Sequence, residues 1–214
     1  VFVREDRTLA VEDTKGGDTH PGAAANPASL FRIPIFATFP YMLTGIALGV
    51  AQGAYESVID GLRGRVARYS GKSLADMTAV QIKIAEAGAC IDTARRVMRD
   101  HCQTAQALAE RGEVPDLLTK VTWRRDGAFT AGLCERAVNV LFKTGGGGAL
   151  FDDHPLQRAF RDGAAGDDVW TRCARAALRQ SDALASRHSP MYSLRIRSLL
   201  ESSSREAPSY SILP

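Results

Sequence analysis

Apolar residues recur at intervals of three or four along most of this chain, and the interruptions mark its joints. Around Pro40 the period becomes helical: Phe39, Met42, Ile46, Val50, Ala54, Val58, Leu62 and Val66 predict one apolar stripe on a long helix. Small residues run beside it, at Gly45, Gly49, Gly53, Ser57 and Gly61. Each interior glycine costs up to about 1 kcal/mol of helix propensity relative to alanine, so the repeat predicts another backbone or a ligand packed close. The helix is expected to end near Tyr69–Gly71, because glycine favours the position just past a helix. A second helix opens around SLADMT, where Ser73 or Asp76 can cap it. Its Val80, Ile84, Ala87, Ile91, Ala94, Met98, His101, Ala105 and Leu108 alternate steps of four and three, the seam of a helical bundle.

Gly112 stops that run, and Pro115 suits the first turn of a third helix. The third helix reaches about Phe142, with Leu117, Val121, Ala128, Ala131, Cys134, Val138 and Leu141 turned inward. Long amphipathic runs joined by short turns imply antiparallel neighbours and leave little room for a sheet. After Gly148, HPLQRAFRD opens a fourth helix with Pro155 in its first turn; GAAGDD interrupts it, and VWTRCARAALRQSDALAS resumes helical composition. The expected fold is all-α, an up-and-down four-helix bundle over residues 31–187. The flanks differ. VFVREDRTLAV starts like a strand, and EDTKGGDTHPGAAANPAS has the composition of a loop. Residues 188–214 are rich in Ser and Arg without a period, which predicts a poorly ordered tail.

Composition narrows the function little. The 214 residues are 45% hydrophobic and 24% charged, as in ordinary soluble domains. The net charge of +3 is spread among interspersed acids and bases and gives no footprint for nucleic acid. Cys90, Cys102, Cys134 and Cys173 form no CxxC pair and read as buried free thiols of a reducing cytosol. No signal peptide is legible at VFVREDRTL. Residues Ile33 to Tyr55 carry no charge, long enough to span a bilayer. Pro34, Pro40, Gln52 and the lack of a flanking basic cluster favour a buried helix instead.

The densest candidate chemistry lies in TGGGGALFDDHPLQRAFRD. Gly145–Gly148 match neither a P-loop nor a dinucleotide fingerprint, since no Lys-Ser/Thr follows and no strand precedes. Spacing favours a helix-ending hinge. The alternative is an anion cradle, in which successive glycines let backbone N–H groups approach a phosphate and Arg158 and Arg161 supply charge. Asp152, Asp153 and His154 are too close in sequence to make a metal site alone and read better as a cap before Pro155. His101 reads as a satisfied bundle residue, and Trp123 with Arg124 and Arg125 as an amphipathic boundary. No catalytic triad or HExxH is present.

The order VFV…RTL, linker, GIALGVAQGAYESVIDGLRGR, a long Ala-rich helix, Lys120 and Trp123 in K-x-x-W, and GGGGALFDDHPLQRAFRD resembles the C-terminal helical domain of the acyl-CoA dehydrogenase superfamily. More narrowly, it is similar to oxygenase components of two-component flavin-dependent monooxygenases of the 4-hydroxyphenylacetate and polyketide hydroxylase type. The resemblance covers about Val1 to Asp162. It implies that residues 1–30 are the end of a truncated β domain and a linker, leading into a bundle that drives a dimer or tetramer. It further implies reduced FMN or FAD delivered by a separate flavin reductase, O₂ as co-substrate and a small aromatic substrate, in a cytoplasmic enzyme free of membrane and nucleic acid. Gly145, Gly146, Gly147 and Gly148, with Arg158 and Arg161, then lie at the flavin.

Two departures from the family stand out. Its pattern after PLQR-x-x-RD carries a histidine near flavin and substrate, where Ala164 and Val169 stand here; the catalytic residues stay unassigned, and a frameshifted or divergent C-terminus is expected. Much of the pocket would lie on domains ahead of Val1, so the chain alone is expected to be an inactive fragment. Two other readings follow: an acyl-CoA dehydrogenase, with Asp153 where that family often has a catalytic glutamate, or a non-catalytic oligomerising bundle.

Overall fold

The computed structural model describes residues 3–8, 10, 12–18, 21–67, 71 and 73–163. A five-residue helix α1 (Pro21–Ala25) precedes three long ones: α2 (Ile35–Leu62), α3 (Thr78–Glu110) and α4 (Leu117–Phe142). A further helix, α5, begins at residue 155 and continues to 163, the end of the described region. Among the described residues no strand forms, and the one ladder contact is an isolated antiparallel bridge between Val66 and Ser73. Within the strand-like opening, Glu5–Arg7 form a 3-10 turn, and the described residues supply no ladder partner, which a strand needs.

Each helix ends for a local reason. At the start of α4, Asp116 accepts a hydrogen bond from Thr119 N–H at 2.7 Å, the side-chain cap the first turn requires. Pro115 therefore stands outside the helix rather than in its first turn. At the end of α3, Glu113 N–H reaches Leu108 O at 2.9 Å and Gly112 N–H reaches Ala109 O at 3.1 Å. Gly112 has φ +70°, so the pair forms a Schellman motif that side chains with Cβ resist. Neither Ser73 nor Asp76 caps α3; Met77 holds that position, without a side-chain bond. α2 stops at Leu62 because Arg63 leaves helical backbone and the following residues turn into the Val66–Ser73 bridge.

α4 packs along both α2 and α3, which touch each other less. The main core joins Leu48, Ala51, Ala54, Val58 and Leu62 of α2 to Ala87, Cys90, Ile91 and Ala94 of α3 and to Cys134, Ala137, Val138 and Leu141 of α4. A second cluster at the other end holds Ala37, Tyr41, Ala105 and Trp123. Trp123 is thus a core anchor rather than a boundary. The predicted seam of α3 holds, with Ala87, Ile91, Ala94 and Ala105 buried.

The predicted stripe of α2 holds in the second half of the helix, where Ala54, Val58 and Leu62 are buried and Val50 packs against the core, and is rotated in the first half. Met42 and Ile46 are 66% and 67% exposed, and Phe39 and Val66 are exposed too. The buried face runs through Ala37, Tyr41, Thr44, Leu48, Ala51, Ala54, Val58 and Leu62. Its polar member is satisfied: Thr44 Oγ1 lies 2.9 Å from Pro40 O and 3.2 Å from Gly127 O. A Cβ on Gly127 would stand 2.8 Å from Pro40 Cβ, so glycine there sets the close crossing of α2 and α4. By contrast, no described atom lies within 4 Å of where a Cβ would stand on Gly45, Gly49, Gly53 or Gly61. The small-residue stripe meets nothing among the described residues. Leu117, expected inward on α4, is exposed as well.

The segment before α2 is docked. Gly17 N–H bonds Arg32 O at 2.8 Å, Arg32 pairs with Asp18 at 2.9 Å, and Gln106 of α3 donates to Ser29 Oγ at 2.6 Å. Cys90 and Cys134 are buried free thiols as expected, whereas Cys102 is exposed. Burial pushes the Cys134 thiol up to about 11. The predicted continuation of the fourth helix and the tail 188–214 lie outside the described residues.

Candidate functional site: the glycine loop between α4 and α5

α4 closes in a tight turn. Thr144 donates to Leu141 O through both N–H, at 2.8 Å, and Oγ1, at 2.6 Å, and Gly145 N–H bonds Phe142 O at 3.1 Å. Gly145 is buried. A Cβ there would stand 2.6 Å from Ala149 Cβ and 3.1 Å from Leu156 Cδ1, so packing excludes any other residue. Gly146 has φ +62°, a left-handed conformation that glycine adopts without penalty. Gly146–Leu150 then form one 3-10 turn. Gly147 and Gly148 are exposed, with no described atom within 4 Å of an added Cβ.

The four glycines therefore divide. Two shape the hinge, and two leave backbone open to whatever lies outside.

His154 sets the start of α5. Its Nδ1 accepts from Leu156 N–H at 3.2 Å, and its carbonyl accepts from Gln157 N–H at 2.9 Å. The expected cap before Pro155 exists, made by the histidine rather than by an aspartate. Among the described residues no group of three or more His, Cys, Asp or Glu could hold a metal. α5 folds back along α4: Phe142 and Phe160 stack at 4.5 Å, and Val138 meets Gly163. Arg161 returns towards the loop through Asp152 at 3.6 Å, and Arg158 pairs with Asp162 at 3.6 Å. Both arginines are exposed, so either can change partner at little cost.

Beside α5, an open apolar groove of about 250 Å³ runs between α2 and α4, lined by Leu43, Ile46, Val50, Ala131, Cys134 and Val138. Gly163 stands at its edge, where the described chain ends. The positions of Ala164 and Val169, where a histidine was expected, lie beyond it. His101 is a bundle residue, as read from the seam. Its partners Tyr41 and Asp126 had no signal in the sequence, being 60 and 25 positions away in other helices.

A helical bundle closed by this glycine hinge and HPLQRAFRD helix defines a known class. The chain belongs to the family described as acyl-CoA dehydrogenase, C-terminal domain, whose model matches residues 41–168. Among its relatives, the oxygenase component of an FADH(2)-dependent resorcinol hydroxylase from Rhizobium sp. (strain MTP-10005) is 32% identical over 173 residues, 76% of this chain and 42% of that protein. The oxygenase subunit HsaA of a flavin-dependent monooxygenase from Rhodococcus jostii is 30% identical, over 78% of this chain and 44% of its own. The solved structure of 3-HSA hydroxylase from Rhodococcus sp. RHA1 superposes with a TM-score of 0.71 at 29% identity, covering 83% of this chain and 46% of that one. The chain thus spans less than half the length of the relatives it matches.

Proposed function

We propose that this chain is the helical portion of the oxygenase component of a reduced-flavin-dependent monooxygenase, acting on a phenolic or polyketide-like aromatic. The observation that carries the reading is its similarity to oxygenase components over three quarters of its length, with the glycine loop inside the residues 41–168 that the family model matches. When bound, the reduced flavin, FMN or FAD, supplies the electrons that let O₂ deliver one oxygen atom to the ring. A separate flavin reductase provides it.

The loop suits such a group. Gly147 and Gly148 present backbone with room around it, where a flat ring or a phosphate can approach to hydrogen-bonding distance. Gly145, wedged on Ala149 and Leu156, fixes the direction in which that backbone faces. Arg158 and Arg161 supply positive charge for the flavin phosphate by exchanging Asp162 and Asp152 for it. The chain assembles as a dimer or tetramer through the exposed apolar face of α2. α2 is long and apolar enough to cross a membrane, but its buried face seats it in the bundle, and we place the protein in the cytoplasm, with no membrane or nucleic-acid partner.

Anaerobic titration of the full chain with reduced FMN and with FADH₂, followed by light scattering on the same sample, tests this reading. Expected is weak but saturable binding, with one site per chain of the oligomer, weakened further in Arg161→Ala. A folded oligomer that binds neither flavin overturns the cofactor assignment of the loop.

A further inference from the structure

The end of the bundle away from the glycine loop contains a polar cluster that the flavin reading does not use. Tyr41 of α2, His101 of α3 and Trp123 and Asp126 of α4 meet there, in and beside an otherwise apolar cluster. The Tyr41 hydroxyl lies 3.0 Å from Trp123 O and also hydrogen-bonds His101 Nδ1. On the other side of the ring, His101 Nε2 faces Asp126 Oδ2 at 3.5 Å. Asp126 Oδ1 is held by Arg125 Nε at 2.6 Å. The imidazole stacks on Trp123 with centroids 5.8 Å apart and meets Tyr41 edge-on at 5.5 Å. Among the described residues, the other charged or titratable groups acting on this cluster are Asp100 and Cys102, both on α3.

Counting protons makes the arrangement two-state. A tyrosine hydroxyl has one proton, and a carbonyl can only accept. In the neutral ring, the carboxylate of Asp126 favours the proton on Nε2, which leaves Nδ1 a bare lone pair. The Tyr41 O–H then donates its hydrogen bond to Nδ1, keeping its proton, and the Trp123 carbonyl receives none from it. In the imidazolium both nitrogens carry protons. Nδ1–H donates to the Tyr41 oxygen, and the Tyr41 proton becomes available to Trp123 O.

We propose that Tyr41, His101 and Asp126 form a proton-operated latch across the three long helices, in which one proton taken up by His101 reverses its bond with Tyr41 and passes the Tyr41 hydroxyl proton from α3 to α4. The Pro40–Gly127 crossing of α2 and α4 lies directly alongside, so the latch acts at a close approach of those helices. Burial holds His101 below its ordinary value, against the opposing pull of Asp126 and Asp100, while Arg125 adds to the lowering. The neutral arrangement is therefore the resting one near neutrality. Because the folded chain binds this proton less readily than the unfolded chain, the associated stability is present above the unfolded value of about 6.5. It is lost as the pH falls through that value towards the folded one.

The test is ¹⁵N and ¹³C NMR of the full chain from pH 8 to pH 5. Expected are an Nε2–H tautomer for His101 at pH 8, a midpoint below about 6.5, and a Trp123 carbonyl ¹³C resonance that moves with the same midpoint. In Tyr41→Phe the Trp123 response disappears while His101 still titrates. An Nδ1–H tautomer at pH 8, or a Trp123 carbonyl that stays fixed through the His101 titration, overturns the latch; a histidine that is merely packed gives the latter result. The wild-type spectra decide the matter even where the variant does not fold.

Discussion

Gly145 and Gly147 stand two positions apart in one loop and answer to different constraints. A Cβ on Gly145 would meet the rigid Cβ of Ala149 at 2.6 Å, so the backbone itself must shift. Gly145→Ala is expected to destabilise the chain by about 1–3 kcal/mol, the range for overpacking, and to lower the thermal midpoint. Gly147 has open space and no positive φ. Gly147→Ala should leave the midpoint unchanged or raise it, since alanine restricts the unfolded chain by about 0.4–1 kcal/mol. If flavin docks on that backbone, the same methyl weakens reduced-flavin binding in the titration above. A stable Gly147→Ala chain that binds flavin as tightly as wild type removes Gly147 from the site. The sequence revealed a glycine-rich break here but not this division. Local backbone angles and the neighbours of an absent Cβ are tertiary facts, and four identical letters cannot carry them.

At the level of whole helices, legibility followed the contrast between faces. α3 alternates apolar seam residues with charged ones such as Lys83, Glu86, Asp92 and Arg96, so only one face can be buried, and the predicted seam was the observed one. Over its first half α2 has no charged residue. Its apolar residues surround the axis, and nothing local distinguishes Phe39, Met42 and Ile46 from Tyr41, Thr44 and Leu48. The choice was made by the other helices, through the Pro40–Gly127 contact and the Thr44 bonds, which residue spacing does not encode. α4 offers the clearest test of a local signal. Replacing Asp116 with Ala removes the bond from Thr119 N–H and should cost about 1 kcal/mol, typical of an N-cap, read as a lower urea midpoint at pH 7. A hydrogen bond from the Thr119 side chain, joined by the same backbone bond, holds the Asp116 carboxyl below its ordinary range. Its contribution is therefore present above the unfolded value of about 3.9 and fades as the pH falls through it towards the folded value. The gap between wild type and Asp116→Ala should thus be smaller at pH 3 than at pH 7, and a gap independent of pH would count against the cap.

For the molecule as a whole, the informative feature is an unfinished surface. Phe36, Phe39, Met42 and Ile46 of α2 and Phe129 of α4 are all exposed, and the Gly45, Gly49 and Gly53 positions beside them meet no atom of the described chain. Large apolar side chains next to bare backbone suit a second helix lying close, which is how the proposed oligomer accounts for both the exposed first half of the predicted stripe and the glycine repeat. Two variants separate assembly from folding. Ile46→Glu puts a carboxylate on a surface that is 67% exposed in the single chain, so the monomer should tolerate it. In an oligomer the carboxylate is buried without a partner, at a cost above about 1.4 kcal/mol, or more than tenfold in the association constant. Gly49→Leu acts through shape alone, since the single chain has room for it and a closely packed second copy does not. Light scattering on the wild-type chain should give a multiple of 23.1 kDa. Both variants should shift the mass towards that of one chain while keeping the helical circular dichroism signal. If Gly49→Leu assembles as wild type does and Ile46→Glu does not, the interface uses the apolar stripe without close helix approach, and the glycines need another occupant, for which the reduced flavin is the first to try by repeating the titration on that variant.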